Sequence, residues 1–231
     1  MHVSWKTAAV SACAALVTAT GVTTVQAAPS KETFVATKST EGTETTLRVT
    51  LDATPGGGPQ KLSRADRQKI AGFLDVSTGE LVSARSGTPG AQAEADARKV
   101  TPPPAALAKK GPATLRCDKN PSWSDARGTL SARFNCHHST INWGYKISAR
   151  LRAAITGRVT EKGVSWWNNK KRKPDNAGHV VGKTYHFHGT LKPVKHGDDV
   201  QFQDHMTFRV NIGGKTGTAA LTWASHVKAK K

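Results

Sequence analysis

Through most of the second half of the chain, apolar and polar residues alternate with a period of two. Leu130, Ala132, Phe134 and Cys136 alternate with Ser131, Arg133 and Asn135. Every odd position from Ile141 to Leu151 is apolar or aromatic, and the phase continues through Ala153, Ile155, Gly157 and Val159. Alternation of this kind predicts an antiparallel strand with one wet face. The run from 141 to 159 exceeds a normal strand, so a bend or bulge is expected near Ala153–Gly157. Val164–Trp167 predicts a short strand. Tyr185, Phe187, Gly189 and Leu191 share one phase, as do Val200, Phe202, Met206, Phe208, Val210 and Ile212, and then Ala219, Leu221, Trp223 and Val227. Gly213-Gly214 between the last two runs suits a hairpin. Residues 113–231 therefore predict an antiparallel β-sandwich or small barrel.

The pattern upstream is sparser. Thr45, Leu47, Val49, Leu51 and Ala53 predict one half-buried strand, ended by Gly56-Gly57-Gly58-Pro59. Ser63 with Asp66 resembles a capping box, and Ile70, Phe73 and Leu74 then fall on one helical face. Asp75–Ser83 suggests a hairpin around Ser77-Thr78-Gly79. From Arg85 to Pro112 neither period survives; Gly87, Pro89, Gly90, an Ala-rich stretch and Pro102-Pro103-Pro104 read as a linker. The expected organisation is a small α+β segment at 28–84, a Pro/Ala/Gly-rich linker at 85–112 and a β domain at 113–231. The first segment is a marginal unit: a propeptide, an extension packed on the main domain, or a partly disordered piece.

The first 27 residues have a different character. A short start with Lys6, an apolar stretch from Thr7 to Val22 and Val25-Gln26-Ala27 before Ala28 have the layout of a secretory signal peptide. The apolar run is short and rich in Thr and Ala for a membrane span. Removing the signal leaves 204 residues, takes the formal charge from +18 to +17, and leaves no expected transmembrane segment. It also discards Cys13, so Cys117 and Cys136 form an even pair in an exported chain and predict one disulfide.

Charge narrows the partner. Residues 28–112 carry 12 Lys and Arg against 9 Asp and Glu, whereas residues 113–231 carry 21 against 7. A positive field concentrated in one half points to an anionic partner: a wall polymer, a polysaccharide or extracellular nucleic acid. Two features are candidate contacts. Lys146, Arg150 and Arg152 fall on the polar phase of one expected strand. Trp167, with Asn168, Asn169, Lys170, Lys171, Arg172 and Lys173 after it, would place an exposed ring beside amides and a cationic loop, where a sugar or base could stack.

The histidines offer a weaker alternative. His186 and His188 are two apart on a strand and point the same way, and His205 or His179 could complete a metal site; no metal or other cofactor is favoured. Asp204 interrupts the apolar phase of its strand, so it is either turned outward by a bulge or buried and paired with a cation. Asp204 and His205, as strand neighbours, face opposite ways and make a poor dyad. Nucleophile-elbow, zinc-protease, P-loop and dinucleotide motifs are absent. The expectation is a secreted, non-enzymatic β-sandwich binding an anionic or saccharide polymer at or outside the cell surface. Its rivals are a secreted hydrolase with a His/Asp or His-metal site, and a protein–protein module such as an inhibitor or toxin component.

Overall fold

A computed structural model describes residues 31–54, 61–81, 83–85, 111–161, 163–176 and 185–231. The chain is mainly β, with two sheets whose inner faces share one apolar core. The larger sheet is built around a long hairpin, β12 (Asp199–Ile212) and β13 (Lys215–Lys230). Gly213 and Gly214 close it, both at positive φ (60° and 92°), the backbone that a tight two-residue turn demands. Beside β12 lie β8 (Thr160–Glu161) and β9 (Val164–Asn168), then β10 (Lys171–Asn176) at the edge. Beside β13 lie β2 (Thr43–Leu51), β1 (Glu32–Thr40) and β3 (Ser83–Arg85). β4 (Ala113–Arg116) pairs in parallel with the last residues of β13.

The smaller sheet runs β11 (His186–Leu191), β7 (Thr140–Ile147), β6 (Gly128–Asn135) and β5 (Ser122–Ser124). Its inner residues, Phe134, Trp143, Tyr145 and Phe187, pack towards Trp223 and Phe202 of the larger sheet. Tyr145 stacks on Trp223 at 5.3 Å, and Phe202 meets the same indole edge-on at 5.9 Å. Such offset and edge contacts suit the ring quadrupoles. Cys117 and Cys136 are bonded, with Cα atoms 5.4 Å apart. The bond ties the end of β4 to the end of β6.

Residues 31–54 are part of the same sheet as the C-terminal strands. β2 lies in register along β13, from Leu51 opposite Gly217 to Thr43 opposite Ser225. Phe34, Leu47, Val49 and Leu51 are buried in the common core. The helix α1 (Arg64–Leu74) follows, with Ser63 and Asp66 making the expected reciprocal cap and Ile70, Ala71, Phe73 and Leu74 buried. The tie is reinforced by Arg127, only 1% exposed, which donates to the Leu74 carbonyl at 3.1 Å. A guanidinium at the C-terminal end of α1 meets both an unpaired carbonyl and the negative pole of the helix. Most of the expected linker, residues 86–110, lies outside the described residues, as does the expected signal peptide.

Two local expectations are corrected. Asp75–Ser83 is not a hairpin: Asp75 caps α1 in the left-handed conformation (φ 59°), a Ser77–Glu80 turn follows, and β3 pairs with β1 instead. The long strand expected from Ile141 to Val159 ends at Ile147. Ser148 caps a short helix, α2 (Ala149–Ala154); its hydroxyl accepts from Leu151 N–H and donates to the Ala126 carbonyl at 2.7 Å. Ala, Arg and Leu are good helix formers, and a serine oxygen at the N-cap satisfies one of the helix's free amides. Leu151 is buried in either conformation, which is why the alternation concealed the helix.

Candidate functional site

The consequence for the expected cationic track is direct. Lys146 remains on the outer face of β7, opposite His186. Arg150 and Arg152 sit on α2, and Arg150 pairs with Asp75 at 3.2 Å. The three side chains therefore do not form one stripe, and a carboxylate from the N-terminal half meets the middle one.

The Trp167 group is also rearranged. Strand alternation does put Trp166 and Trp167 on opposite faces, Trp166 inward and Trp167 outward. Trp167 is nevertheless only 7% exposed. Arg172, its cross-strand partner on β10, lies over the indole with the guanidinium carbon 5.0 Å from the ring centroid. Arg172 also pairs with Asp175 and donates to Ser165 Oγ at 3.3 Å. It is a clip across the hairpin, held by cation–π and ionic contacts. Asn168 and Asn169 are likewise committed: both amides donate to the Asp198 carboxylate at 2.8 Å. These bonds, with the amide of Lys195, hold Asp198 below the usual carboxylate range against the opposing effect of burial. The cationic run is thus a turn followed by an edge strand, not a loop. Lys170 and Lys171 stay exposed, and Lys173 is half-buried beside Trp166.

What the fold assembles instead is a basic pole at one end of the larger sheet. Asn169 N–H donates to the Asp199 carbonyl at 2.7 Å, joining the β9–β10 turn to the start of β12. Gly197 N–H donates to the Ala229 carbonyl and Ala229 N–H to that of Asp198, joining the 192–198 loop to the end of β13. Cys117 N–H donates to the Lys230 carbonyl at 2.8 Å, adding the end of β4. Lys170, Lys171, Lys195, Lys228, Lys230 and Arg116 are all exposed there. Register puts Lys230 opposite Arg116 and Lys228 two residues away on the same face. Two nearby carboxylates are engaged: Asp198 as above, and Asp199 with His226 Nε2 at 2.8 Å. Among the described residues, Lys170, Lys171, Lys195, Lys228 and Lys230 make no ion pair. Sequence reasoning found only Lys170 and Lys171 of this group, because the others come from distant segments.

Among the described residues, His186 and His188 do not converge with His205. His186 and His188 stand on the outer face of the smaller sheet, rings 5.9 Å apart, whereas His205 is on the larger sheet and bonds Thr222 Oγ1 at 2.8 Å. Burial, then His188 and Lys146, lower the pKa of His186. His179 lies outside the described residues. Among the described residues, the metal-ligating group compact enough to share an ion is Cys117, Asp118, Cys136 and His137.

Asp204 is fully buried and so is not turned outward, and the acid Glu161 lies against it. Glu161 stands opposite Met206 and so shares the inward face with Asp204. Burial and the Asp204 carboxylate push Glu161 up to about 8, so the pair keeps a proton between the two groups at neutral pH. A cleft of about 20 Å³ lined by Thr45, Trp123, Asp125, Tyr145 and Trp223 has room for about one water. Comparison with protein-family models, with curated proteins and with solved structures gives no match to this chain.

Proposed function

We propose that this chain is an exported, non-enzymatic protein that binds an anionic polymer at or outside the cell surface through the basic pole. One observation carries the reading: separate segments of the chain bring exposed lysines, which make no ion pair among the described residues, to one end of the larger sheet, while Asp198 and Asp199 are engaged by Asn168, Asn169 and His226. A rigid array of like charges is costly to keep together by self-repulsion, and an anionic ligand with repeated charges relieves it. The buried position of Trp167 shifts the expected recognition from ring stacking to charge.

Location distinguishes this pole from general basicity. Lys228→Gln with Lys230→Gln removes two charges at the pole; Lys146→Gln with Arg158→Gln removes two elsewhere. Binding to duplex DNA, a polyphosphate-backbone wall polymer and a uronate polysaccharide is measured for each. The pole variant is expected to lose about tenfold in affinity for the preferred polyanion and the control variant little. Equal losses in both variants, or binding to none of the three, would remove the proposal.

A further inference from the structure

We propose that the Cys117–Cys136 bond masks a divalent-metal site: when a thiol reductant opens it, Cys117, Cys136, Asp118 and His137 hold one zinc ion. The four donor atoms all lie within 4.8 Å of one another. Donors in a tetrahedral zinc site are about 3.3–3.8 Å apart, so small side-chain movements suffice. The donors come as two adjacent pairs on two segments that the backbone fixes independently of the sulfurs. Cys117 N–H is bonded to the Lys230 carbonyl and Asp118 N–H to that of Phe134, both at 2.8 Å. Asp118 takes the left-handed conformation (φ 56°), which turns its carboxylate back over the cysteines.

The two oxygens of Asp118 are already divided between roles. Oδ2 faces the other three donors, 3.4 Å from Cys117 Sγ, 3.9 Å from Cys136 Sγ and 3.9 Å from His137 Nε2. Oδ1 accepts from Arg133 at 3.2 Å. That is the arrangement of a ligating carboxylate oriented by an outer partner. The His137 side chain is 80% exposed and free to turn its imidazole onto an ion.

The chemistry balances without further partners. Two equivalents of a small thiol reduce the disulfide, giving two cysteine thiols and one disulfide of the reductant. Zinc binding then displaces one proton from each thiol; the carboxylate and the neutral imidazole need lose none. In the oxidised chain neither sulfur is a thiolate, so the set falls to one carboxylate and one imidazole and binds weakly.

The test uses the full chain, oxidised and reduced, titrated with cobalt(II) as a spectroscopic stand-in and with zinc against a chromogenic chelator. The reduced chain is expected to take one ion, with thiolate-to-cobalt charge-transfer absorption and the intense visible bands of tetrahedral cobalt; the oxidised chain shows neither. His137→Ala and Asp118→Asn, both at exposed positions, should each weaken zinc binding by at least about tenfold, and His138→Ala should not. Absence of stoichiometric binding by the reduced chain, whether or not it stays folded, overturns the proposal. So does binding by His137→Ala and Asp118→Asn at the parent's affinity.

Discussion

Replacing Glu161 with Gln should change how stability depends on pH more than it changes stability itself. In the folded chain Glu161 holds its proton to about pH 8, because burial and the Asp204 carboxylate disfavour its charge. Unfolded, it ionises near 4.5. The folded state therefore binds more protons than the unfolded state between those values, and stability falls as pH rises through that window. The contribution is intact below about pH 4.5 and gone above about pH 8. A tenfold difference in proton affinity is worth about 1.4 kcal/mol. Glu161 is only half-buried, so water screens much of the repulsion, and a loss of about 1–2 kcal/mol is expected rather than the full conversion. The glutamine side chain offers an amide N–H to Asp204 at any pH, so the Glu161→Gln chain should not show this loss. Urea unfolding of both chains at pH 5, 7 and 9 gives the difference directly, with other titrating groups cancelling. The variant should gain about 1–2 kcal/mol on the parent between pH 5 and pH 9. A difference that is constant across pH, or one that reverses, would refute the shared proton.

Other perturbations read different parts of the structure. Arg127→Met should cost about 2–4 kcal/mol in denaturant unfolding, because it strips the Leu74 carbonyl and Asp125 of a buried cationic donor; a loss below about 1 kcal/mol would show that α1 is held mainly by apolar packing. Trp167→Ala should lower stability by about 3 kcal/mol while leaving polyanion affinity of the folded chain within about twofold, since Arg172 covers the ring; a selective binding loss would restore the stacking role. Cys136→Ala should cost about 3 kcal/mol for the loop between Cys117 and Cys136, seen as a lower midpoint in thermal unfolding under non-reducing conditions.

Much of the fold is legible because local rules and tertiary needs agree. Leu47, Val49 and Leu51 alternate and are buried on one face; Ser63 and Asp66 close the helix cap; Gly213-Gly214 turns the long hairpin. The stretch after Ile147 misleads because Leu151 satisfies both a period of two and one face of a short helix, and the deciding residue, Ser148, acts through a hydroxyl. Burial of Trp167 is not visible in sequence because alternation assigns a face but not what lies over it, and the covering residue arrives from the next strand. Asp204 announces itself by breaking its apolar run. Its partner does not, since β8 is a two-residue strand with no periodicity of its own. The basic pole is least legible: Arg116, Lys195, Lys228 and Lys230 become neighbours of Lys170 only through strand pairing.

Polyanion affinity measured across ionic strength probes the basic pole most directly. Each neutralised phosphate releases counterions, so with four of the six pole cations engaged on duplex DNA, log K should fall against log salt with a slope of about −3.6. Replacing Lys195, Lys228 and Lys230 with Gln should flatten that slope by about 2.7 if all three make contacts. A slope near zero in the parent, or the same steep slope in the triple variant, would contradict binding at this pole.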